Sequence, residues 1–136
     1  KQVPGIRDIY LSHGGCGVFH AIIQMKPTHG GWPKNAIMAA FAGFNMLKIV
    51  TVVDEDVDIH SPSDVEWAMA NRLIPSTGIV QIDGSFGLGL NPSFPGDLGT
   101  KVGFDCTRAF PHEEKDDRVS YRKVSLGKYD IDYGAA

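Results

Sequence analysis

The sequence predicts a single α/β domain with a mixed, largely parallel sheet flanked by helices, a long glycine-rich loop and an irregular C-terminal tail. Three observations carry that expectation. IVTVV at 49–53 is a continuous β-branched run, the composition of a strand buried on both faces. Apolar residues recur at helical spacing on either side of it. Strand-like and helix-like segments alternate at the spacing of right-handed crossover units. A length of 136 residues suits one domain with one sizeable core.

Taken in order, IRDIYL at 6–11 and VFHAIIQM at 18–25 read as strands separated by the turn-forming SHGGCG, and they can pair as a hairpin. PTHGGWP then breaks the chain before a first helix. Pro33 suits the opening of that helix, because its φ is already fixed and it has no amide hydrogen to satisfy. Ile37, Ala40, Phe41, Phe44 and Leu47 supply one apolar face. After the 49–53 strand, Ser61 can cap a second helix, Pro62 fits its first turn, and Asp64 or Glu66 can complete a capping box. Val65, Ala68, Met69 and Leu73 form its inner face. LIPSTG ends that helix, and IVQID at 79–83 reads as another short strand. GSFGLGLNPSFPGDLG is long for a loop in a compact domain, and KVGFDCT is expected as a final edge strand. The domain is expected over 1–112, followed by a polar tail over 113–136 that is extended or packed on a partner.

Composition narrows the function classes. With 43% hydrophobic and 21% charged residues and a net charge of −3, nothing favours nucleic acid or an anionic membrane surface. No apolar stretch approaches the roughly 20 residues of a membrane span, and no signal peptide is visible. Cys16 and Cys106 are too few for a disulfide framework, so a reducing, cytoplasmic setting is expected. The chain begins at Lys1 without an initiator Met, which suggests a piece of something longer.

Asp54, Asp56 and Asp58 alternate like the start of a calcium loop, a motif that needs glycine at its sixth position and glutamate at its twelfth. Counting from Asp54 gives Ile59 and Val65, and counting from Asp56 gives Ser61 and Trp67. Both registers fail, so the acids are read as a structural rim near a helix start, where carboxylates suit the unpaired amides. His13, Cys16 and His20 form an H-x2-C-x3-H pattern that lacks a fourth zinc ligand. Cys16 has no paired base in the sequence to make it a nucleophile. GSFGLGL at 84–90 lacks the lysine and the following helix of a phosphate cradle, leaving a mobile loop or an ordinary surface loop.

Three stretches together resemble the UbiD-type decarboxylases. VVDEDVDIHSPSDVEWAMANR resembles the family's V-x-D-D/E-D-V/I-D run and the helix after it, with Trp67-Ala68 and Asn71-Arg72 at the W-A and T-R places. Asn71 stands where threonine is usual. LGTKVGFDCTRAFP at 98–111 resembles the closing G-x-K-x-G-x-D-A-T-x-x-W/F-P, with Cys106 replacing alanine. GCGVFHAIIQMKP resembles the strand that begins G-C and ends in a basic residue. The match runs in order from about residue 5 to residue 112.

That resemblance implies the C-terminal domain of a reversible, non-oxidative carboxy-lyase acting on an aromatic or α,β-unsaturated acid. The family's prenylated-FMN site, Mn²⁺ ligands and catalytic Glu-Arg-Glu set belong to regions upstream of Lys1. No catalytic, cofactor or metal residue is therefore expected on this chain alone. Within the complete enzyme the domain is expected to close over the substrate pocket and to help build a homo-oligomer. Phe19 in the second strand, and Phe86 and Leu88 between mobile glycines, are the expected substrate-side residues. The alternative is a small non-catalytic subunit or oligomerisation module assembling with a separate catalytic chain.

Overall fold

The β-branched run in the middle of the sequence becomes the middle strand of the sheet. In a computed structural model describing residues 2–120, the strands are β1 (Ile6–Leu11), β2 (His20–Met25), β3 (Ile49–Asp54), β4 (Ile79–Phe86) and β5 (Leu98–Cys106). The helices are α1 (Trp32–Gly43), α2 (Pro62–Arg72) and the single turn α3 (Pro75–Gly78). The open sheet has the order β1-β2-β3-β5-β4. β1 pairs antiparallel with β2, β2 and β3 run parallel, β3 and β5 run parallel, and β4 returns antiparallel on β5.

Each face of β3 meets a helix, which is why the strand can be apolar throughout. Val50 and Val52 pack with Ala21, Ile23 and Met25 beneath Ala36, Ile37 and Phe41 of α1. On the other face, Val53, Ile22 and Cys106 pack beneath Val65 and Ala68 of α2, together with Val57 and Ile59 from the connection. α2 begins as its sequence predicts: Ser61 Oγ accepts from the Asp64 amide at 3.4 Å, and Pro62 follows. The reciprocal half of the capping box differs. Asp64 reaches past the cap to accept from the Asp58 amide at 2.7 Å, tying the acidic turn to the helix.

Other expectations are corrected. α1 stops at Gly43, so Phe44 is its half-exposed C-cap residue, and Leu47 is buried from the connection rather than from the helix. KVGFDCT belongs to β5, which is an interior strand, whereas β4 is the edge. Lys101 disguises the position of β5. Its side chain is buried, but the ammonium donates to the Asn45 carbonyl at 2.7 Å and so keeps its charge satisfied inside the sheet. β4 also runs through Phe86, which shortens the glycine-rich connection to residues 87–97 of a β4–β5 hairpin. Phe94 plugs the underside of that hairpin, and a Cβ at Gly87 or Gly99 would collide with its ring.

Of the tail expected over 113–136, residues 113–120 are described and include a short turn at Glu114–Asp116; residues 121–136 lie outside the described residues. Among the described residues, no helix is long and apolar enough to cross a membrane.

Candidate functional site

Two cavities lie at opposite ends of the sheet, and their chemistry is different. One opens where β3 and β5 end. Asp54, the last residue of β3, is buried, and its carboxylate accepts from Arg72 Nη1 at 2.9 Å and from the Arg108 amide at 2.8 Å. Arg72 comes from the last turn of α2, where a cation also suits the helix dipole. It forks onto Asp56 through Nη1 and Nη2 at 2.7 and 2.8 Å. Arg108 Nη1 donates to Asp117 at 2.6 Å, while its buried Nε lies 3.5 Å from Asp54 Oδ1 and makes no hydrogen bond among the described residues. The guanidiniums of Arg72 and Arg118 lie over the Trp67 ring, 4.8 and 4.2 Å from its centre. These groups border a cavity of about 570 Å³.

Burial pushes the Asp54 carboxyl above its usual range, outweighing the pull of the Arg108 amide and the two guanidiniums. Asp56 moves the other way, held down by its hydrogen bonds to Arg72. The solvated-rim expectation is thus corrected for Asp54, which is an interior charge, while Glu55, Asp56 and Asp58 are exposed and alternate with buried Val57 and Ile59. As metal ligands the acids fit poorly, since Asp54 and Asp56 already direct their oxygens at arginine. Among the described residues, no group of three or more His, Cys, Asp or Glu side chains converges as a metal site.

The second cavity, about 560 Å³, lies against the face shared by β1, β2 and α2 and has a mostly apolar wall that includes Tyr10, Phe19, Ile22, Ile59 and Met69. Its polar groups include His20, whose Nε2 lies 2.9 Å from Thr51 Oγ1. Burial lowers the pKa of His20, favouring the neutral ring. Tyr10 packs against His60 with the rings tilted and their centres 4.6 Å apart, and it meets His13 edge-on at 5.9 Å. The turn before β2 is wound tightly enough to place Cys16 at φ 56° and Gly17 at φ 70°. Asn91 brings the β4–β5 hairpin loop to the same cavity.

Comparison with known proteins decides what this domain is. The 3-octaprenyl-4-hydroxybenzoate carboxy-lyase C-terminal domain family matches residues 1–106. The chain belongs to this UbiD C-terminal domain family. It is 56% identical over 130 residues to the Rhodospirillum rubrum protein encoded in the cooM 5′ region, covering 96% of this chain and 28% of that protein. It is 41% identical over 121 residues to the anhydromevalonate phosphate decarboxylase of Methanothermobacter thermautotrophicus, covering 88% of this chain and 29% of that enzyme. Its fold superposes on the UbiD-class enzyme HmfF of Pelotomaculum thermopropionicum, solved in complex with FMN, with TM-score 0.87 and 32% identity over 94% of this chain and 30% of that one. The chain therefore spans less than a third of the length of each of these relatives.

Within this UbiD domain the three substrate-side candidates occupy different surroundings. Phe19 lines the apolar cavity beside His20. Phe86 ends β4 at 56% exposure, and Leu88 follows in the loop at 39% exposure; neither borders that cavity. His13 and His20 border it, while Cys16 is exposed on the turn between them. Burial pushes the Cys106 thiol up to about 12, which leaves it an inert core residue. Sequence reasoning missed the Arg72–Asp54–Arg108 network. The available signal was an arginine in each of the two motif segments, Arg72 at the end of the first and Arg108 just after the strand in the second, together with the acid that follows the β-branched run.

Proposed function

We propose that this UbiD domain works as the C-terminal, pocket-closing domain of a reversible non-oxidative decarboxylase. The substrate is an aromatic or α,β-unsaturated carboxylic acid, and upstream regions of the complete enzyme hold prenylated FMN and Mn²⁺. The observation that carries this reading is the superposition on an FMN-bound UbiD-class enzyme over nearly the whole chain. The 41% identity to anhydromevalonate phosphate decarboxylase supports decarboxylation as the reaction class.

When bound, the modified flavin supplies the electron sink for the breaking carbon–carbon bond. This chain's residues bind substrate and exclude water. Phe19, Phe86 and Leu88 offer apolar surface to a planar acid, and the exposed Leu88 and Leu90 are poised to lose water when the loop closes. His20, kept neutral and held by Thr51, stiffens the strand behind Phe19 without adding charge. The same domain contributes to the homo-oligomer interface of the complete enzyme.

Steady-state CO₂ release by the complete enzyme tests the assignment. Leu88→Ala is expected to lower kcat/KM by about tenfold, the scale of one apolar contact to substrate. The melting temperature should fall only modestly, because Leu88, at 39% exposure, lies outside the buried core. Unchanged kinetics would remove Leu88 from the substrate surface, and a large fall in melting temperature would make it a structural residue.

A further inference from the structure

Asp117 and Arg118 are neighbours in sequence, yet they fasten to different parts of the domain. Asp117 accepts from Arg108 Nη1 at 2.6 Å, just beyond the end of β5. Arg118 pairs at 2.6 Å with Asp64 in the first turn of α2 and lies over the ring of Trp67 in the same helix. The chain leaving β5 thus crosses to α2 as a strap. A turn at Glu114–Asp116 sets its path, closed by reciprocal hydrogen bonds between Glu113 and Asp116.

The strap is fastened without being packed. Val119 is 74% exposed, and among the described residues no side chain from Pro111 to Ser120 joins either core cluster. Beneath it lies the cavity of about 570 Å³, with residues 115–119 on one side and Trp67, Asn71 and Arg72 of α2 on another. A segment that buries no apolar side chain sits at the low end of the local stability scale, and its closed position depends on its few polar fastenings.

We infer that residues 113–119 form a salt-sensitive latch over Trp67 and the end of α2, which opens and closes while the sheet stays folded. The two fastenings share one short stretch of backbone, so releasing Asp117 loosens Arg118 as well. Opening leaves no bare buried charge, which would otherwise oppose release. Arg108 is only 11% exposed, but it keeps Asp54 as a counter-charge 3.5 Å from its Nε. Asp64 keeps the Asp58 amide, and Trp67 keeps Arg72 over its ring. Each strap contact therefore has a counterpart on the body of the domain. What opening changes is access: the cavity loses its roof and Trp67 meets solvent. Asp117 is 54% exposed and Arg118 is exposed too, so dissolved ions screen both pairs, and ionic strength is the trigger. The latch is separate from the apolar cavity at Phe19 and does not rest on the decarboxylase reading.

Acrylamide quenching of Trp67 fluorescence in the 136-residue protein tests it, with Trp32→Phe removing the second tryptophan. Between about 0.01 M and about 1 M sodium chloride the Debye length falls from about 30 Å to about 3 Å, and quenching of Trp67 is expected to rise about twofold. Far-ultraviolet circular dichroism should not change over that range. Asp117→Asn is the decisive variant, because Asp117 binds Arg108 and acts on Trp67 only through the strap. At low salt it should already show the quenching that the parent protein reaches at high salt. Arg7→Gln, which removes an exposed ion pair between β1 and Glu55, should keep the parent's salt response. The proposal fails if quenching is independent of salt, if Asp117→Asn behaves as the parent does at low salt, or if Arg7→Gln loses the salt response as well. It also fails if quenching rises only as the circular dichroism is lost. Should Trp32→Phe not fold, the low-salt difference between Asp117→Asn and wild type, each with both tryptophans, decides.

Discussion

Asp54 and Asp56 stand two residues apart in the same acidic run, yet they contribute differently. Asp54 is enclosed by Arg72 and Arg108, whereas Asp56 holds Arg72 from the surface. Removing one partner of a buried ion pair leaves the other charge uncompensated, so Asp54→Asn is expected to cost about 3–5 kcal/mol. Asp56→Asn, screened by solvent, should cost about 1 kcal/mol or less. Urea unfolding of the two variants checks the contrast, and equal losses would mean that burial does not distinguish them. A run such as DEDVD in the sequence announces charge and exposure together. It shows the outward Glu55 and Asp56 but cannot show that the strand has not yet ended at Asp54, because that depends on arginines 18 and 54 positions away. His20 gives a pH signature of the opposite cavity. Burial lowers its pKa from the ordinary 6.5, so below that value the unfolded chain takes up a proton that the folded one resists. Stability contributed by His20 is complete above pH 6.5 and falls as the pH drops through the lower folded-state value. His20→Gln should flatten that part of the stability–pH curve in denaturant titrations.

At the scale of elements, the strands and helices set by periodicity and local chemistry were legible: the β3 run, the paired β1 and β2, and the Ser61-Pro62 start of α2. Strand order was not, since it is fixed by contacts between distant segments. KVGFDCT was expected as an edge strand, but β5 lies between β3 and β4, and at Gly103 the absent side chain lets Ile37 of α1 press onto the sheet. A Cβ at Gly103 would collide with the Ile37 side chain. Gly103→Ala is therefore expected to destabilise by about 1–3 kcal/mol through overpacking. Thermal melts should show part of that loss recovered in the Gly103→Ala/Ile37→Val double variant; additive losses would contradict the packing account. Likewise, Ser61→Ala removes the cap from Asp64 and should cost about 1 kcal/mol, with the helix otherwise intact by circular dichroism.

The whole molecule is an α/β layer whose two ends differ, one charged and one apolar, and whose hairpin loop leaves Phe86, Leu88 and Leu90 exposed. Family membership was readable from three ordered motifs because they encode strand ends and turns that the fold needs in fixed places. The cavities were not readable: the apolar one is assembled from β1, the turn before β2, α2 and the hairpin loop, which lie far apart in sequence. A chain that spans less than a third of its relatives is expected to depend on the remainder for chemistry. The most direct test is CO₂ release from α,β-unsaturated and aromatic acids, with prenylated FMN and Mn²⁺ supplied, by this chain alone and by the complete enzyme containing it. The account predicts turnover by the complete enzyme and none by the isolated chain. Turnover by the isolated chain, or a flavin-loaded complete enzyme that releases no CO₂ from either class of acid, would contradict it.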